Sequence, residues 1–118
     1  MSAREKLLGW LKDDRGRQVE FLRAFTRIDT CNPPGDTRQA ADFFRRFLED
    51  EGIKHRTEAP QAAMPNLIAS FIGGAGPGRH LVLNGHLDVF PIGDLSVWQR
   101  DPLSGDIVDG RGRVTVTR

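Results

Sequence analysis

The chain has 118 residues, enough for one domain with a modest core, and its hydrophobic fraction of 38% is low for a self-sufficient globule. Lys and Arg number 17 against 16 Asp and Glu, so the net charge is only +1 and gives no reason to expect nucleic acid or an anionic membrane as the main partner. A single cysteine, Cys31, excludes an intrachain disulfide scaffold, and no apolar run approaches the roughly 20 residues that span a bilayer.

The N-terminal stretch "MSAREKLLGWLKDD" is interrupted by Arg4, Glu5, Lys6 and Lys12, so it lacks the apolar centre of a signal peptide and a cytoplasmic location is expected. Residues 3 to 14 form an amphipathic pattern with Leu7, Leu8 and Leu11 at helical spacing. Residues 17 to 28 repeat it with Val19, Leu22, Phe25 and Ile28, and Gly16 either separates two helices or weakens one. "DTCNPPGDT", Asp29 to Thr37, is a breaker, because Pro33, Pro34 and Gly35 do not continue a helix. Asp36 or Thr37 then offers a capping oxygen to a helix over 38–51, with Ala40, Phe44, Phe47 and Leu48 on its buried stripe and Gly52 as its stop. Arg45 and Arg46, the one basic doublet of note, fall on that helix, where a solvated face is the expectation.

After Gly52 the period changes. "IKHRTEA" alternates weakly, as an edge strand does, and "NLIASFIG" (66–73) predicts a second strand. "GAGPGR" is a turn, and "HLVLNGH" (80–86) is an apolar run bounded by turn signals, the pattern of a strand buried on both faces. Beyond Pro91 regular structure stops until Ile107-Val108 and Val114–Val116, which flank Asp109-Gly110 as a hairpin. Helices first, then strands with a connecting helix, point to an α/β fold.

The apolar run ends in Gly-His-Leu-Asp. Neutral imidazole is a common ligand for zinc and its neighbours, and ligands in open α/β sheets gather at the carboxyl ends of strands. In extended backbone, residues two apart face one side, so Asp88 can accept the second N–H of His86 and orient the ring. A polar turn that happens to contain a histidine has the same three-residue pattern. His55 and His80 sit in polar contexts at strand ends and are assigned to the surface, Cys31 to a small buried filler, and Trp98 to packing over a loop.

Four blocks, in order, resemble the N-terminal part of the M20 metallopeptidase family, which includes acetylornithine deacetylases, succinyl-diaminopimelate desuccinylases, aminoacylases and carboxypeptidase G-type enzymes. They are "CNPPGD" (Cys31–Asp36), "PNLIASFIG" (Pro65–Gly73), "LVLNGHLDVFPIGD" (Leu81–Asp94), close to the family's G-H-x-D-V-V-P, and "WQRDPLSGDIVDGR" (Trp98–Arg111). The resemblance implies the first part of an α/β zinc-hydrolase catalytic domain, helices packed on an incomplete mixed sheet, with 1–118 a partial catalytic domain. It implies hydrolysis of amide bonds in N-acyl amino acids or short peptides at a two-metal site that usually holds zinc, with cobalt or manganese as alternatives. It makes His86 a metal ligand and Asp88 the catalytic-site carboxylate that orients it, and it implies dimers for full-length members.

The family pattern continues past D-G-R with a segment whose aspartate bridges the two metals. Here Arg111 is followed by "GRVTVTR". The bridging aspartate, the general-base glutamate, the later ligands and the dimerisation domain have no counterpart in these residues. The expectations are an incomplete site, no amidase activity in this chain alone, and an apolar 80–86 segment that lacks neighbours. A non-catalytic role, binding a partner such as a full-length relative, is the alternative.

Overall fold

A computed structural model describes residues 1–108 and 111–112. They form two compact units, one of residues 1–29 with the described residues from Gly93 on, the other of Thr30–Ile92.

In the first unit, α1 (Ala3–Asp13) opens with a capping box: Ser2 Oγ accepts from the Glu5 N–H at 3.2 Å and Glu5 Oε2 accepts from the Ser2 N–H at 2.6 Å. The Ser-x-x-Glu spacing signals this start. α2 (Arg15–Thr26) follows at once. The break between them is at Asp14 rather than Gly16, which lies in the first turn of α2. Asp14 ends one helix and starts the next, and its carboxylate accepts from Arg17 Nε at 2.8 Å and Gln18 Nε2 at 3.3 Å. Leu7, Leu8 and Leu11 stay about half exposed and Leu22 is exposed, so the apolar stripes of both helices are only partly covered. Val19, Phe25 and Ile28 are half-buried.

The "PLSGD" loop closes on α2. Arg23 Nε donates to the Gly105 carbonyl at 2.8 Å and Arg27 Nε to the Ser104 carbonyl at 2.9 Å. Gly105 has φ +65, and a Cβ there would lie 2.8 Å from the Arg23 carbonyl oxygen, so only glycine fits this approach. A 3-10 turn (Leu95–Val97) is capped by Asp94, whose carboxylate accepts from the Ser96 N–H. β3 (Ile107–Val108) and β4 (Arg111–Gly112) pair antiparallel, Val108 opposite Arg111. The first strand is where the sequence places it, and the strand that pairs with it among the described residues is Arg111–Gly112. The expected turn at Asp109-Gly110 and the strand over Val114–Val116 lie outside the described residues.

In the second unit, α3 (Arg38–Asp50) leads into β1 (His55–Glu58) and β2 (Asn66–Ala69). The Asp36 carboxylate accepts from the Arg38 N–H at 3.1 Å, so the capping oxygen comes from Asp36 although Thr37 holds the N-cap position. α3 buries Ala40 and Ala41, with Phe44, Phe47 and Leu48 half-buried, and packs against β2. Arg45 bridges Asp42 and Glu49, and Arg46 pairs with Asp42, so the doublet lies on an ion-paired solvent face. Gly52, φ +66, ends the segment. β1 and β2 are antiparallel, with His55 opposite Ala69 and Glu58 opposite Asn66.

Three expectations change. Residues 80–86 form no strand, and Leu81, Val82 and Leu83 are 82–85% exposed. Apolar composition favours a buried strand, but a strand exists only where a neighbour pairs its N–H and C=O groups, and no described residue does so here. For the same reason β2 stops at Ala69, opposite His55 where β1 begins, and Phe71 and Ile72 are exposed. The sheet is also not mixed. Both two-stranded sheets are antiparallel, and the parallel pairing among the described residues is an isolated bridge, Cys31 to Val89. No helix among the described residues is long and apolar enough to cross a membrane.

Candidate metal-ligand site

The site is assembled by the 30–37 loop. Thr30 and Thr37 are buried at its two ends. The Thr37 N–H donates to the Ala63 carbonyl at 2.9 Å, and the Gly35 N–H closes the turn on the Cys31 carbonyl at 2.8 Å. Pro33 and Pro34, both preceded by cis peptide bonds, have no N–H to satisfy. Gly35 is buried with φ +77, and a Cβ there would meet Met64 Cε at 2.7 Å and Asn32 Cγ at 2.9 Å.

The parallel bridge ties this loop to the segment that carries the histidine. The Asn32 N–H donates to the Val89 carbonyl at 2.8 Å, and the Val89 N–H to the Thr30 carbonyl at 3.1 Å. These two bonds fix the backbone next to Asp88. The Asn32 carboxamide then donates from Nδ2 to Asp88 Oδ2 at 3.0 Å. On the other side of the carboxylate, Asp88 Oδ1 lies 3.2 Å from His86 Nδ1, and the Asp88 carbonyl oxygen lies 2.6 Å from the same nitrogen.

Two acceptors at one ring nitrogen select the tautomer that carries its proton on Nδ1. Nε2 is left with its lone pair on a side chain that is 83% exposed. That is the state in which an imidazole ligates a metal. The Asn32 hydrogen bond holds the Asp88 carboxyl below the usual carboxylate range, and the neighbouring His86 acts in the same direction. Asp88 therefore stays an anion and an acceptor.

Of the other residues singled out in the sequence, His55 is half-buried, with Nδ1 3.0 Å from the Ile53 carbonyl oxygen and Nε2 3.8 Å from Glu49. His80 is exposed, Cys31 is half-buried in the bridge to Val89, and Trp98 is half-buried. Among the described residues no group of three His, Cys, Asp or Glu side chains gathers to hold a metal ion. Catalytic zinc takes about three protein ligands per ion. The described residues thus fit one ligand and its orienting carboxylate, not a complete two-metal site. Asn32 is the residue whose role the sequence leaves unread. Its only local signal is its place in "CNPPGD", which reads as a helix breaker.

Comparison with known proteins finds succinyl-diaminopimelate desuccinylases among the relatives. The chain is 41% identical over 71 residues to a succinyl-diaminopimelate desuccinylase of Cereibacter sphaeroides, a match covering 60% of this chain and 18% of that protein. It is 34% identical over 101 residues to one from Methylocella silvestris, covering 81% of this chain and 26% of that protein. A third, from Rhodopseudomonas palustris, is 38% identical over 76 residues, covering 61% and 19%. The chain thus spans about a quarter or less of the length of the curated relatives it matches. No protein-family model and no solved structure matches it. With the His86–Asp88 pair and the four ordered motif blocks, these matches identify the chain as an N-terminal segment of the M20 family.

Proposed function

We propose that these residues form the ligand-bearing first part of a metal-dependent amide hydrolase acting on an N-acylated amino acid of the succinyl-diaminopimelate kind. The observation that carries the reading is the His86–Asp88 pair. Asp88 holds Nδ1 from two oxygens, and the side chain is exposed. Similarity to the desuccinylases supports both the reaction class and the substrate class. In this reading His86 is one zinc ligand, with cobalt or manganese as other occupants, Asp88 orients it, and the remaining ligands and the general base come from outside the described residues. The 118 residues alone then lack amidase activity, and a cytoplasmic setting suits the single cysteine and the substrate.

Zinc titration of the isotope-labelled chain tests the ligand assignment. Expected is a weak single site whose resonance shifts centre on the His86 ring and vanish in His86→Ala. Shifts centred elsewhere, or unchanged in His86→Ala, contradict it.

One observation favours a second reading, in which the chain binds a full-length relative. The exposed apolar run Leu81–Leu83 has the composition of a strand and nothing among the described residues pairs with it. Co-purification of the chain with a desuccinylase, abolished by lysines at 81 and 83, is the expected signature of that role.

A further inference from the structure

An imidazole that is 83% exposed has almost no packing to fix it. Whatever orients the His86 ring must act through hydrogen bonds, and both acceptors at Nδ1 belong to Asp88. The carboxylate in turn has one described side-chain partner besides His86, the Asn32 carboxamide on its other oxygen. We propose that Asn32 is a positioning residue for His86: by holding Oδ2 of Asp88 it keeps Oδ1 against Nδ1 of the imidazole and leaves Nε2 free to ligate.

The placement of Asn32 is itself over-determined. Its N–H is spent on the Val89 carbonyl at 2.8 Å, so its backbone is locked to the segment that carries Asp88. Pro33 follows it and fixes the exit of the chain. Its carboxamide lies in the space left by the missing side chain of Gly35, 2.9 Å (Cγ) and 3.0 Å (Oδ1) from where a Cβ would be. "NPPG" thus reads as one device. Asn supplies the donor, the prolines direct the turn, and Gly makes room. An amide suits the task because it donates to the carboxylate without adding charge beside it.

The functional meaning of this placement rests on the reading of His86 as a ligand, but its test needs no metal. In the full 15N-labelled chain at about pH 8.5, above the ordinary imidazole range, two-bond 1H–15N correlation spectra distinguish Nδ1–H from Nε2–H, with His86 assigned by its loss in His86→Gln. Wild type is expected to show Nδ1–H as the main tautomer. In Asn32→Leu, equal in size but without a donor, the ratio of Nδ1–H to Nε2–H should fall about tenfold, the weight of one charge-assisted hydrogen bond. Asn32→Ser, too short to reach Asp88, should do the same if the leucine variant does not fold. Asn32→Gln, which keeps a carboxamide, should restore part of the ratio.

An unchanged ratio in a folded Asn32→Leu or Asn32→Ser overturns the proposal, as does a wild-type ring that carries its proton on Nε2. If instead the ratio follows residue 32 but zinc fails to shift the ring, the positioning stands and the ligand reading falls.

Discussion

Replacing Gly35 with alanine strikes the loop that builds the site. Gly35 has φ +77, a region that costs an L-residue about 1–2 kcal/mol. The new Cβ would also lie 2.7 Å from Met64 Cε, 2.9 Å from Asn32 Cγ and 3.0 Å from Asn32 Oδ1. The methyl end of Met64 swings aside cheaply. Asn32 yields only by leaving Asp88, and overpacking of this kind costs about 1–3 kcal/mol. Together the two effects come to about 2–5 kcal/mol. With a urea dependence of about 1–3 kcal/mol per molar, the unfolding midpoint should fall by about 1–2 M, read by far-UV circular dichroism. Gly35→Asn separates the contributions, because asparagine tolerates positive φ and keeps the steric part. It should lose about half as much. A loss below about 0.5 kcal/mol in Gly35→Ala, the range of an ordinary surface change, would refute the reasoning.

Gly105→Ala should cost about 2 kcal/mol or more, since φ is +65 and the Cβ meets a backbone oxygen of α2 that has no cheap way to move; a melting temperature equal to wild type contradicts this. The Arg38 side chain and N–H hold the Asp36 carboxyl down to about 2, so an NMR titration should find its midpoint there and find it raised in Arg38→Gln. Because the folded value lies below the ordinary 3.8, the contribution of this pair to stability is present above that pH and is lost as pH falls towards 2. Sedimentation velocity should show concentration-dependent association of the chain through its exposed apolar run, reduced by lysines at 81 and 83. A monomer at all concentrations contradicts it.

What was legible in the sequence was local. The helices follow from periodicity and breakers, and the His86–Asp88 contact follows from residues only two apart. The strand that does not form and the role of Asn32 both depend on distant parts of the chain. An apolar run reads as a strand at 80–86, yet its ladder must be supplied by a neighbour that the described residues do not provide. Gly16 reads as a break between the first helices or a weak point in one; the local break falls at Asp14, whose carboxylate engages Arg17 and Gln18. Asn32 reads as part of a turn because its partner Asp88 lies 56 residues away, and only the bridge between Cys31 and Val89 brings the two together.

We propose that this chain is the ligand-bearing first segment of an M20-type hydrolase. The most direct measurement grafts it in place of the matching segment of the Cereibacter sphaeroides desuccinylase and follows release of succinate. The account predicts a zinc-dependent enzyme whose activity is abolished by His86→Ala. A folded, zinc-loaded chimera that is inactive, or one that His86→Ala leaves active, would contradict it.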